Sequence, residues 1–153
     1  MNFLITGHSE FAIGMQSALT MIAGEIEDVM FIPFLANETT EEYRQKIESS
    51  IEMYEHVVCF TDLLGGTSFK KCIEFSMTKK QVFVISGTNI AMLLEGLMMR
   101  NSGIEPFELA KSVVKVGKSN IVLFEKNNEA EELSEEVISV SYTHLTLPTK
   151  RIV

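Results

Sequence analysis

His8 follows the apolar run Asn2–Thr6, and Asp62 follows the apolar run His56–Thr61. In an open α/β sheet, ligands bind beyond the carboxyl ends of the strands, so two such residues meet if both runs are parallel strands. A neutral imidazole can attack a phosphorus atom through one ring nitrogen. A carboxylate on the other nitrogen fixes the tautomer and stabilises the positive charge that develops. Asp62 can supply that carboxylate. Spacing alone does not separate this pairing from an ordinary loop histidine. His56 precedes its strand and is expected at the opposite end, remote from the site.

Two further loops belong to the same end. The stretch Asp62-Leu63-Leu64-Gly65-Gly66-Thr67-Ser68 offers two glycines for a tight turn and for amides aimed at phosphate oxygens. Thr67 and Ser68 can cap the helix that follows, whose N-terminus favours anions. The same four residues also suit a plain turn and cap. Gly87-Thr88-Asn89 forms the third loop, with turn and capping duties as its simplest reading. The chain contains neither a GxxxxGK[ST] loop nor a GxGxxG fingerprint, so bound ATP or NAD has little support and no cofactor is expected. His8 and Asp62 lack an evident third ligand, so no metal is expected. Most phenylalanines fall in core patterns, which argues against an aromatic platform for RNA.

The elements that position these loops alternate. Phe11, Met15, Ala18, Leu19 and Ile22 share one face of a helix over Phe11–Ala23, stopped by Gly24. Val29–Phe34 reads as a strand, and its Pro33 suits an edge or an end. Thr39 or Thr40 caps a helix that carries Tyr43, Ile47, Ile51 and Tyr54 at near-helical period. Helices over Thr67–Met77, Ile90–Met99 (capped by Asn89) and Phe107–Val116 (entered through Pro106) follow, with a strand at Gln81–Ile85. Asn120–Phe124 reads as a fifth strand and Glu129–Val137 as an acidic exposed helix. Repeated βα units with nearly continuous apolar strands predict a doubly wound, mainly parallel α/β sheet of flavodoxin-like order.

Length and composition agree. The 153 residues suit one domain. With 46% hydrophobic and 22% charged residues, the chain is neither disordered nor collagen-like. Residues 1–140 carry all 21 acids and 11 of the 13 bases, a net of −10. Such a body repels phosphate backbones, so nucleic acid is not an expected partner, whereas a basic docking protein is compatible. Cys59 and Cys72 read as buried free thiols rather than a disulfide or metal pair. The start MNFLITG is unlike a signal peptide, and no run reaches the ~18 apolar residues of a membrane span, so a cytoplasmic location is expected. The stretch SYTHLTLPTKRIV does not fit the body. It reads as an extra strand, a linker or non-native sequence, and no function is assigned to its His144.

Three segments now align with a known pattern. LITGHSEFAIGMQSAL, FTDLLGGTSF and ISGTNIAMLLEGLM, in that order and at those places, resemble the IIA domain of the mannose family of the bacterial phosphoenolpyruvate-dependent sugar phosphotransferase system. VMFIPFLANETTEEYRQKI also looks familial, and the resemblance covers roughly Met1 to Phe124. It implies a IIA domain over residues 1–125; beyond the resemblance, the composition marks an acidic helix over 126–140 and an atypical tail over 141–153. The resemblance implies that His8 accepts a phosphoryl group from phospho-HPr, a phosphotransferase component with a phosphohistidine intermediate, and passes it to a histidine of a IIB component. Asp62 would hold the ring, and Thr67 would sit beside the phosphoryl group in the loop of Gly65, Gly66 and Ser68. It further implies a homodimer that exchanges an antiparallel fifth strand, here Asn120–Phe124, and an indirect association with membrane IIC and IID components.

Ser68, Lys70 and Ala91 stand where the family often has proline, asparagine and proline, which puts loop rigidity and partner choice in question. Leu63 and Leu64 are either a docking patch or core. Two other readings stay open: the similar phosphocarrier subunit of a phosphoenolpyruvate-dependent dihydroxyacetone kinase, and a non-catalytic regulatory protein of the same fold.

Overall fold

The computed structural model describes residues 1–126. In chain order the elements are β1 (Asn2–His8), α1 (Phe11–Ala23), β2 (Val29–Phe34), α2 (Thr40–Ile51), β3 (Val57–Thr61), α3 (Thr67–Thr78), β4 (Val82–Ile85), α4 (Ile90–Met99) and α5 (Pro106–Ser119). The four strands form one sheet in the order β2-β1-β3-β4, and every pairing is parallel. Among the described residues this is the flavodoxin-like order over its first four strands.

Strand alternation divides the core in two. Phe3 and Ile5 of β1, with Val58 and Phe60 of β3, face a layer that includes Leu19, Leu93, Leu94, Leu109 and Val113. Leu4 of β1, with Val57 and Cys59 of β3, faces Tyr43, Ile47, Ile51, Cys72 and Phe75. Helices α1, α4 and α5 therefore cover one face, and α2 and α3 cover the other. Near-continuous burial along β1 and β3 follows from this double coverage. β2 is an edge strand, which explains how Pro33 is accommodated opposite Gly7.

Local chemistry sets the helix starts. Thr39 and Glu42 form a reciprocal capping box at α2. Asn89 caps α4 by accepting the Met92 amide at 3.1 Å, and it donates to the Gly117 carbonyl at 3.1 Å, tying α4 to α5. Pro106 opens α5 as its lack of an amide hydrogen favours.

Three expectations are corrected. Helix α5 continues to Ser119, with Asn120 helical at its C-cap and its side chain on the Val116 carbonyl. Within the single chain residues 121–126 pair with no strand of the sheet, and Ile121, Val122, Leu123 and Phe124 are exposed; the strand expected there is one exchanged with a second copy. Neither Thr67 nor Ser68 caps α3: its N-cap is Gly66, with no side-chain hydrogen bond. Strand β1 also runs further than its apolar stretch, so His8 is its last residue rather than part of the loop. Cys59 and Cys72 are both buried and free, and the neighbouring Cys72 thiol together with burial pushes the Cys59 thiol up. The acidic helix expected over Glu129–Val137, and the tail with His144, lie outside the described residues. Among the described residues, no helix is long and apolar enough to cross a membrane.

Candidate active site

The site is built at the carboxyl end of the two central strands. β1 ends at His8, and β3 delivers Asp62 one residue past its end. The His8 Nδ1 lies 2.7 Å from Asp62 Oδ2, and the His8 backbone N–H donates to the same oxygen at 2.8 Å. The second carboxylate oxygen, Oδ1, accepts the Leu63 amide at 2.8 Å. Burial alone would raise the Asp62 pKa. The bonds from the His8 amide and ring and from the Leu63 amide outweigh it and hold the carboxyl below its ordinary range. An ionised carboxylate only accepts, so the imidazole proton sits on Nδ1 and the lone pair on Nε2. Nε2 has no hydrogen-bond partner among the described residues, and the His8 side chain is 47% exposed against 14% for Asp62. The arrangement is a shielded carboxylate behind a nucleophilic nitrogen that faces outward.

Two glycines permit the close approach. A Cβ on Gly7 would lie 2.5 Å from Phe11 Cδ1 and 2.8 Å from Asp62 Cγ. One on Gly66 would lie 3.1 Å from both His8 Cε1 and the Leu63 carbonyl oxygen. Gly65 takes a positive φ of 78°, turning the chain between Asp62 and α3. The first amides of α3 have no partner inside the helix. Thr67 is half-buried at that helix start. Ser68 is placed differently: its side chain is fully enclosed beside the Tyr43 phenol, and its hydroxyl has no partner of hydrogen-bonding geometry.

The third loop supports the second. Thr88 donates to the Thr61 carbonyl through its amide at 3.1 Å and its hydroxyl at 2.8 Å. The Gly87 amide donates to the Asp62 carbonyl at 3.2 Å. Leu63 and Leu64 are 61% and 71% exposed, which decides between their two readings: they are surface, not core. His56 lies just before β3, at the end of the sheet away from His8. Among the described residues, no group of three or more His, Cys, Asp and Glu side chains could hold a metal ion.

The sequence reading placed Gly7 in the first loop without giving it a role, and it gave Phe34 no part in the site. The Phe34 ring is 6.0 Å from the imidazole, at a 59° tilt. Its place follows from the register that sets His8 opposite Phe34, which only the strand order reveals.

Comparison with known proteins identifies the family to which the chain belongs. The family model described as "PTS system fructose IIA component" matches residues 2–114. The fructose-specific EIIA component of Bacillus subtilis is 29% identical over 100 residues, covering 63% of this chain and 68% of that protein. The sorbose-specific EIIA component of Lacticaseibacillus casei is 31% identical over 104 residues, covering 67% and 75%. The crystal structure of phosphotransferase system component EIIA from Streptococcus agalactiae superposes with a TM-score of 0.77 at 31% identity, over 80% of this chain and 96% of that one. The chain therefore belongs to the family of IIA components of the bacterial sugar phosphotransferase system, whose members carry phosphoryl groups in sugar uptake.

Proposed function

We propose that His8 is the phosphoryl acceptor of this IIA component. In this reading phospho-HPr presents its phosphohistidine over the three loops. The Nε2 lone pair forms the new N–P bond while the P–N bond to HPr breaks, and the HPr imidazole keeps that electron pair. Asp62 holds the Nδ1 proton and offsets the positive charge on the ring. Thr67 and the amides of Thr67 and Ser68 steady the phosphoryl oxygens, while the Gly66 amide closes the turn on the Leu63 carbonyl at 2.9 Å, so catalysis is mainly positioning and electrostatics. A IIB histidine then takes the group by the same in-line step. The observation that carries this reading is the 2.7 Å contact between Asp62 and Nδ1, with Nε2 left free.

Leu63 and Leu64 past the end of β3, with Leu35 at 39% exposure past the end of β2, offer apolar surface to both docking proteins. The exposed segment Asn120–Phe124 is the candidate for the strand exchanged in a homodimer, and IIC and IID are reached through IIB. The sugar is not set by these residues, because relatives named for fructose and for sorbose match almost equally well.

The test is phosphoryl transfer from labelled phosphoenolpyruvate through enzyme I and HPr, comparing the intact chain with His8→Ala. Label on the intact chain only, labile in acid and stable in alkali, is expected. A folded intact chain that takes no label from several HPr sources would leave the regulatory reading in its place. Discharge by a dihydroxyacetone kinase and not by IIB would favour the kinase phosphocarrier.

A further inference from the structure

Asp62 and Gly66 reach His8 from the β3 side of β1, and among the described residues an aromatic ring stands on the β2 side. Phe34 ends β2, pairs in register with His8, and accepts the Ser9 amide on its carbonyl at 2.7 Å. Its ring lies 6.0 Å from the imidazole and 4.6 Å from the Tyr43 ring, the latter at a 34° tilt. Both distances fall in the range of attractive aromatic pairs.

Tyr43 is not free to shift. It is fully buried on α2. Its hydroxyl meets Thr6 Oγ1 at 2.5 Å, and that oxygen donates to the Ile32 carbonyl at 2.6 Å. With the Thr6 proton committed to Ile32, the Tyr43 hydroxyl is the donor to Thr6. Thr6 lies two residues before His8 on the same face of β1. The chain of contacts Thr6–Tyr43–Phe34–His8 thus begins and ends on one strand.

A phenylalanine in place of Tyr43 would fill the core equally well, so the buried hydroxyl is explained by orientation rather than by packing. One hydrogen bond on Nδ1 leaves the imidazole able to rock about that contact. The Phe34 ring removes this freedom from the opposite side. We propose that Phe34, braced by the Tyr43–Thr6 hydrogen bond, is a positioning residue that holds the His8 imidazole with Nε2 aimed outward. The proposal rests on His8 being the phosphoryl acceptor.

The test pairs kinetics with a direct view of the ring. Phe34→Leu keeps apolar bulk without the flat face, Phe34→Tyr keeps the face, and Tyr43→Phe removes only the brace. With phospho-HPr as donor, Phe34→Leu should lower the maximal transfer rate about tenfold with KM little changed, since a small misplacement is costly in group transfer. Phe34→Tyr should restore the rate, and Tyr43→Phe should fall between. Imidazole nitrogen resonances of His8 should be single and sharp in the wild type and broadened or shifted in Phe34→Leu. A raised KM at unchanged maximal rate would make Phe34 a docking contact and overturn the proposal. So would unchanged rate and unchanged His8 resonances in Phe34→Leu. The resonances are read without phosphorylation, so failure of the wild type to take label refutes the carrier reading while the ring measurement still decides the role of Phe34.

Discussion

At the scale of single residues, the site depends on how one carboxylate is shared. Asp62 accepts from the His8 amide, the His8 ring and the Leu63 amide, so it orders backbone and nucleophile together. Asp62→Asn should lower the rate of phosphoryl uptake by about 10²–10⁴-fold, because an amide no longer fixes the Nδ1 proton. A time course of labelling against the wild type measures this. The depressed Asp62 pKa has a defined consequence for stability. Its contribution is complete above the unfolded value of about 3.9 and is lost as pH falls through the lower folded value. Urea unfolding between pH 7 and pH 3 should therefore show a fall at the acid end that is smaller in Asp62→Asn. Gly7→Ala is expected to cost about 1–3 kcal/mol, since its Cβ meets Phe11 and the Asp62 carboxyl and one of them must move. It should slow labelling as well.

At the scale of elements, the strand and helix bounds show what a sequence can state. Helices α1 and α4 and strand β2 occupy the residues that period and punctuation indicate, because Gly24, Pro33 and Asn89 are local signals with local effects. The pairing of His8 with Asp62 was legible for the same reason: both follow apolar runs, and parallel strands bring such ends together. What was not legible depends on neighbours distant in sequence. Phe34 against His8 follows from β2 lying beside β1, and the enclosure of Ser68 follows from Tyr43 arriving on α2. The sequence reading ended helix α5 at Val116, whereas the helix runs on through Gly117, which is buried where a side chain would strike Met92. Caps are separable from chemistry. Thr39→Ala should lower stability by about 1 kcal/mol in urea unfolding and leave the labelling rate unchanged. Asn89→Ala should cost more, because it also releases the Gly117 carbonyl on α5. Equal losses from the two variants would remove the α4–α5 tie from the account.

At the scale of the whole molecule, the described residues leave a sheet edge at β4 and an apolar segment at Ile121–Phe124 uncovered among themselves. Exchange of that segment between two copies would answer both. A variant carrying Ile121→Lys and Leu123→Lys should lose the proposed homodimer and sediment as a monomer, while keeping its far-ultraviolet spectrum. An unchanged dimer would place the contact elsewhere. The acidic body suits a role in which basic proteins dock and leave, since charge steering raises encounter rates and weakens with salt. All of this serves one geometric claim, that Asp62 occupies Nδ1 of His8 and leaves Nε2 to receive the phosphoryl group. The most direct measurement is nitrogen and phosphorus NMR of the chain after phosphorylation by phospho-HPr, with the imidazole nitrogens labelled. The account predicts phosphorus coupling to Nε2 of His8 and a protonated Nδ1. Coupling to Nδ1, or phosphate on any other residue, would contradict it.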